Sequence, residues 1–170
     1  GDIHGCADEL EELLRLLGYE KRNGTYEHSE RQAIFLGDFI DRGPQQAATL
    51  QLVRPMIDSG RAYSVLGNHE FNAICYSTQI DSKFVRPHSE KNTKQHAAFL
   101  REFPFGSDRH HAAIEWFRTL PLYLDLPAIG IVHACWCEQS FADLELTLAP
   151  GQRLSPEAIE QYSQQGSAIY

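Results

Sequence analysis

The chain has 170 residues, 42% hydrophobic and 22% charged, which is enough to bury a real core, and it lacks the ~20-residue apolar run of a membrane helix. Its net charge of -8 argues against stable association with a nucleic acid backbone, while leaving a nucleotide substrate open. Cys6, Cys75, Cys135 and Cys137 lack the spacing of a disulfide framework, which points to a reducing, cytoplasmic setting.

The elements are predicted in chain order as follows. Asp8 and Glu11 have the form of a capping box, ahead of a helical stripe of Leu10, Leu13, Leu14 and Leu17 that stops at Gly18 and is expected to face the core. A loop or hairpin from Tyr19 to Glu30 leads to a strand at Ala33. A helix from Gln45 to Asp58 follows, with Pro55 expected to bend or end it. The strand Tyr63–Leu66 precedes a short helix over Glu70–Ser77. Two more helices are read over Asn92–Phe103 and Asp108–Thr119, then strands over Leu122–Leu126 and Ala128–Val132. Ser155-Pro156-Glu157 reads as a further helix start. With no internal repeat, low-complexity tract or linker, residues 1–170 are expected to form one domain.

Four blocks interrupt this alternation: Gly1-Asp2-Ile3-His4-Gly5, Gly37-Asp38-Phe39-Ile40-Asp41-Arg42-Gly43-Pro44, Gly67-Asn68-His69-Glu70 and Val132-His133-Ala134. A Gly-Asp pair alone is first a turn, and a lone histidine is usually a core residue. Here Asp38 and Asn68 each follow an apolar run after one glycine, and His133 closes a third run. Hydrophobic strands that end in metal-ligand residues imply convergence at one sheet edge. Asp2 and His4, two residues apart, share a face of an extended stretch and can hold one ion together. A carboxylate can bridge two cations through its two oxygens, so Asp38 is the expected shared ligand, and neutral Asn68 limits the charge at the second ion.

This pattern resembles the calcineurin-like metallophosphoesterases, and Asp41-Arg42-Gly43 is similar to their phosphoprotein phosphatase branch, over residues 1 to about 137. The resemblance implies a four-layer α/β/β/α sandwich. It implies one divalent metal on Asp2, His4 and Asp38 and a second on Asp38, Asn68 and His133. It also implies His69 as general acid, Asp41 orienting it, Arg42 binding the substrate phosphate, and Asn68 and His69 touching substrate. Manganese is expected first, with iron or zinc also suited to these donors. The activity implied is hydrolysis of phosphate monoesters by a hydroxide held between the ions. A phosphorylated protein is the first expected substrate, and a small phosphoester or nucleotide the second. The alternative activity is symmetrical hydrolysis of diadenosine tetraphosphate, since Gly5-Cys6 and Gly43-Pro44 also look like bacterial enzymes of that kind; similar motifs occur in the phosphatase module of RNA-repair enzymes. A third reading is a binding module without catalysis on the same scaffold.

Two departures from the family pattern stand out. The family has a strand before its first Gly-Asp, and a further histidine for the second metal downstream of the position of His133. This chain begins on Gly1 and has no histidine after His133, so a fragment lacking a first strand and a C-terminal part is expected. His28, His88, His96, His110 and His111 lie in polar segments and read as exposed or supporting. His133-x-Cys135-x-Cys137 reads first as packing and only second as a soft metal site. The segment between Asn68 and His133 carries Lys83, Arg86, Lys91 and Lys94 against few acids. It reads equally as a solvated helical cap or as an overhang that attracts an anion.

Overall fold

The computed structural model describes residues 1–140, 148–155 and 158–160. The architecture is mixed α/β, consistent with the metallophosphoesterase fold, but its strands are short and form two-stranded ladders. The ladder that matters for the site pairs β3 (Ala33–Phe35) with β4 (Ala62–Ser64) in parallel, Ala33 opposite Ala62 and Phe35 opposite Ser64. A parallel pair needs a crossover, and α2 (Gln46–Asp58) provides it, burying Leu50, Val53 and Met56 on one face. The helix runs through Pro55 and ends at Ser59, whose backbone N–H and hydroxyl both donate to the Pro55 carbonyl at 3.1 and 2.6 Å. Pro55 therefore lies within the last turn and does not itself end the helix.

The helix α1 (Ala7–Leu16) forms where the leucine stripe predicts it, with two corrections. No capping box forms: the backbone N–H groups of Ala7 and Asp8 donate to Gln45 Oε1 at 3.1 and 3.2 Å, so the cap comes from the turn before α2. Glu11 instead accepts from the Tyr26 hydroxyl at 2.6 Å. Only Leu10 and Leu14 are buried; Leu13 and Leu17 are exposed, and with Ile34 and Phe35 they line an open apolar cavity of about 850 Å³ beside β3. The expected hairpin is β1 (Glu20–Arg22) with β2 (Thr25–Glu27), turning at Asn23-Gly24, whose φ angles of 50° and 83° suit a tight two-residue turn.

Helix α3 (Asn68–Ser77) starts at Asn68, two residues earlier than its periodicity suggests. A hairpin absent from the sequence reading, β5 (Gln79–Ile80) with β6 (Lys83–Phe84), follows it. The helix expected over Asn92–Phe103 is two helices, α4 (Glu90–Gln95) and α5 (Ala97–Glu102), hinged at His96. Ser89 and Ser107 cap α4 and α6 (Asp108–Phe117) by accepting from Asn92 and His110 N–H. The antiparallel pair β7 (Tyr123–Leu126) and β8 (Ile129–Val132) delivers His133. Ser155 accepts from Ala158 N–H at 3.0 Å, as the cap reading expects, while Pro156 and Glu157 lie outside the described residues. Among the described residues no helix is long and apolar enough to cross a membrane.

Candidate active site

The first three blocks meet at the C-terminal ends of β3 and β4. Ile3 and His4 N–H both donate to the Asp38 carbonyl at 2.9 and 2.8 Å, and Gly5 N–H donates to that of Phe39 at 2.8 Å. The two strand-end loops touch at their glycines: a Cβ on Gly37 would run into the backbone nitrogen of Gly67, and one on Gly67 into that of Asp38. This contact is the local reason for a glycine before Asp38 and before Asn68. His4, Asp38, Asp41 and Arg42 all have left-handed φ angles of 49°, 53°, 68° and 63°. Each costs a non-glycine residue about 1–3 kcal/mol and persists because its surroundings impose it.

Two buried polar side chains hold the turns at Asp38 and at Asp41-Arg42. Glu70 has no exposed surface; its Oε2 accepts from Asp38 N–H at 2.7 Å and its Oε1 from Phe39 and Ile40 N–H at 2.8 and 3.3 Å. Burial, and after it the Asp38 charge, push its pKa up to about 7 against those three donors. Gln46, also fully buried, accepts from Asp41 N–H and donates to the Gly43 carbonyl, both at 2.7 Å, holding the turn that carries Arg42. Neither residue was assigned a role from the sequence.

The imidazoles present their free nitrogens to Asp38. A carbonyl oxygen only accepts, so His4 Nδ1, 2.9 Å from the Ile40 carbonyl, carries the hydrogen of the neutral ring. Its Nε2 is buried without a hydrogen-bond partner, 3.7 Å from Asp2 Oδ2 and 3.9 Å from Asp38 Oδ2. By the same reasoning His133 Nδ1 donates to the Leu36 carbonyl at 2.6 Å. In the neutral ring its Nε2 then turns a lone pair toward Asn68 Oδ1 at 2.9 Å and Asp38 Oδ2 at 3.7 Å. An orphaned buried lone pair and a second one aimed at oxygens are what a divalent cation would satisfy, so the donors fit metal ions. Asp38 sits between both histidines, but through Oδ2 alone: its Oδ1 accepts from His69 N–H at 3.0 Å, at the start of α3. The expected two-oxygen bridge thus differs from the observed arrangement. One donor atom each of His4, Asp38 and His69 also lies within 4.8 Å of the other two, placing His69 at the rim of the same cluster.

His69 Nδ1 lies 2.7 Å from Asp41 Oδ2, and Asp41 Oδ1 meets a second imidazole, His96 Nδ1, at 2.9 Å. Burial alone would raise the Asp41 carboxyl, but the bonds to His69 and His96 and their charges outweigh it and hold the pKa below the ordinary value. The bond to Asp41 raises the His69 pKa above that of free imidazole, against the opposing effect of burial. Of the histidines read as exposed or supporting, His96 is buried and takes the supporting role, on Asp41; His110 is buried as well. No strand end or glycine marks His96 in the sequence, and its effect depends on the hinge between α4 and α5.

Arg42 is exposed and lines, with Asn68 and His69, a cleft of about 720 Å³ whose far wall is built from α4 and α5. The sequence-predicted residues Asp2, His4, Asp38, Asp41, Arg42, Asn68, His69 and His133 therefore come together in one place. The soft site does not: β8 ends at Val132, Cys135 is exposed, and among the described residues no cysteine joins a metal-ligating group. Among the described residues no disulfide joins Cys6, Cys75, Cys135 or Cys137.

The calcineurin-like phosphoesterase family model matches residues 1–150. The asymmetrical bis(5'-nucleosyl)-tetraphosphatase PrpE of Halalkalibacterium halodurans is 49% identical over 141 residues, which span 79% of this chain and 54% of that protein. The protein of the same name from Oceanobacillus iheyensis is 39% identical over 136 residues, 79% of this chain and 53% of its own. The symmetrical bis(5'-nucleosyl)-tetraphosphatase of Psychromonas ingrahamii is 31% identical over 136 residues, 79% of this chain and 42% of its own. The chain thus spans about half the length of the curated relatives it matches. The glycine-bounded strand ends around Asp38 and a family match over residues 1–150 agree, and the chain belongs to the calcineurin-like phosphoesterase family.

Proposed function

We propose that this chain carries the catalytic centre of a metal-dependent hydrolase that cleaves the phosphate chain of a dinucleoside tetraphosphate. The convergence of His4, His133 and Asn68 on Asp38, with His69 and Arg42 at the edge of a cationic cleft, is the observation that supports it most. The tetraphosphatase names of the relatives favour the activity ranked second from the sequence, and none of those cited is named a protein phosphatase. The relatives at 39% and 49% identity are named asymmetrical and the one at 31% symmetrical, so asymmetrical cleavage is the expected outcome.

In this reading Asp2, His4 and Asp38 hold one divalent cation and Asp38, Asn68 and His133 a second, manganese being the first choice. Such a pair supplies Lewis acidity toward phosphoryl oxygens and activates water at neutral pH. Arg42 grips two oxygens of the attacked phosphate with its planar fork. His69, held by Asp41, gives a proton to the departing oxygen; the bond to Asp41 raises its pKa, which favours the protonated form that can donate. A departing phosphate is a weaker base than an alkoxide, so a polyphosphate substrate asks less of His69 and more of the surrounding cations. Cysteines without the spacing of a disulfide framework suit a reducing, cytoplasmic location.

The test is product analysis with the manganese-loaded protein on diadenosine tetraphosphate and, separately, on a phosphopeptide. ATP with AMP is the expected result. Two ADP would move the reading to symmetrical cleavage, and phosphate from the phosphopeptide without nucleotide cleavage would restore the phosphoprotein reading. No turnover of either at normal metal content would favour the binding module.

A further inference from the structure

We infer that the far wall of the cleft is a subsite for the phosphates of the substrate that are not being attacked. The subsite is built by Arg86, Lys91, Lys94 and Arg101; it rests on the polyphosphate reading above and assigns the specificity of the same site.

Three observations carry this inference. First, these four side chains line one cavity of about 720 Å³ with Arg42, Asn68 and His69, so a ligand on Arg42 lies in the space they surround. Second, the cavity is unbalanced in charge. Its lining holds five cations against one acid, Asp41, and both Asp41 oxygens are already bonded by His69 and His96. Among the described residues none of the five cations is in salt-bridge distance of a carboxylate. Elsewhere on this acidic chain arginines are paired, as in Arg22 with Glu20, Arg54 with Asp58 and Arg61 with Glu27. Uncompensated cations converging on a cleft attract and hold an anion of several charges.

Third, Arg86 is positioned by neutral partners. Its Nη1 donates to Asn72 Oδ1 at 2.8 Å and its Nη2 to Gln95 Oε1 at 2.9 Å. Asn72 lies on α3, one turn beyond Asn68, and Gln95 ends α4, so the guanidinium bridges the catalytic helix to the far wall. Two amides fix its direction without cancelling its charge. Lys91 and Lys94, three apart on α4, stand on one helix face beside it. A single phosphate on Arg42 would leave these charges unused, whereas a chain of phosphates crossing the cleft would engage them in turn.

The experiment uses the manganese-loaded protein with Lys91→Ala/Lys94→Ala, both exposed, and with Arg86→Met as a second variant. Two quantities are read. One is the ratio of kcat/KM for diadenosine tetraphosphate to that for p-nitrophenyl phosphate, at two salt concentrations. The other is the inhibition constant of inorganic tripolyphosphate against p-nitrophenyl phosphate hydrolysis. About a tenfold fall in the ratio, a smaller salt dependence of KM and about a tenfold rise in the inhibition constant are expected. Changes under twofold in both quantities, in the lysine variant, overturn the subsite. If the unaltered protein does not cleave the dinucleotide but the tripolyphosphate constant still rises in the variants, the subsite stands and the dinucleotide reading falls. A greater loss on a phosphopeptide than on tripolyphosphate also overturns the assignment.

Discussion

Asp41 joins two imidazoles of the site through its two oxygens, His69 at 2.7 Å and His96 at 2.9 Å. Its folded pKa lies below the ordinary carboxylate value, so the stability it contributes is present above about pH 4 and lost as pH falls through the folded value. The His69 pKa is raised, so its contribution is complete below about pH 6.5 and lost as pH rises through the higher folded value. Asp41→Asn is therefore expected to be most destabilising relative to wild type between those limits, and the gap to narrow on either side. Urea unfolding of both proteins from pH 3 to 9, in chelator, checks it; a gap independent of pH would contradict it. His69→Asn is expected to lower kcat by about 10²-fold or more on an alkyl phosphate and by less on a polyphosphate, whose leaving group needs the proton less. Equal losses on both substrates would remove His69 from the role of acid.

At the scale of elements, the loops that carry the site are held by side chains from neighbouring helices. Glu102 on α5 accepts from Gln46 and Ala47 N–H at 2.8 and 3.0 Å, capping α2 across 56 residues, and Gln46 in turn holds the Asp41 turn. Glu102→Ala should cost about 1 kcal/mol of stability and lower kcat on every substrate through the displaced turn. Unchanged unfolding and unchanged turnover together would show that the cap is dispensable. These cross-element caps explain which parts of the fold were legible. The α1 helix, the loop or hairpin of 19–30, which is a hairpin, and the strands before Asp38, Asn68 and His133 are local patterns, and they formed, although only Leu10 and Leu14 of the stripe are buried. The capping box in α1 did not, because Gln45, far away in sequence, takes the Asp8 N–H that Glu11 would have bonded. The split of the expected 92–103 helix at His96 likewise follows from a tertiary partner: the hinge places His96 Nδ1 on Asp41.

At the scale of the whole molecule, a chain of net charge -8 carries a cationic cleft beside a cluster of acidic and imidazole donors. His4 Nε2 and His133 Nε2 face carboxylate and amide oxygens that a cation would bind with them, so metal binding should stabilise the fold by mass action. Manganese at a hundredfold excess over its dissociation constant would add about 2.7 kcal/mol, or roughly 5–10 °C in Tm. His4→Ala should lose most of that shift. The absence of any metal-dependent shift in the wild-type melt would count against the site, whatever the activity measured.

The sequence by itself determined the donors and their order along the chain, because ligand chemistry and glycine-bounded strand ends are local properties visible in four short blocks. It also determined the family, which those blocks carry. Only the tertiary structure decided which groups hold the donors in place: Glu70 beneath Asp38, Gln46 under the Arg42 turn and His96 behind Asp41. Such partners are chosen by proximity in the folded chain, across as many as 55 residues, and a hydrogen bond of that span leaves no periodicity or spacing to read. The charge balance of the cleft was decided at the same level, since Arg86 reaches it through amides on two different helices.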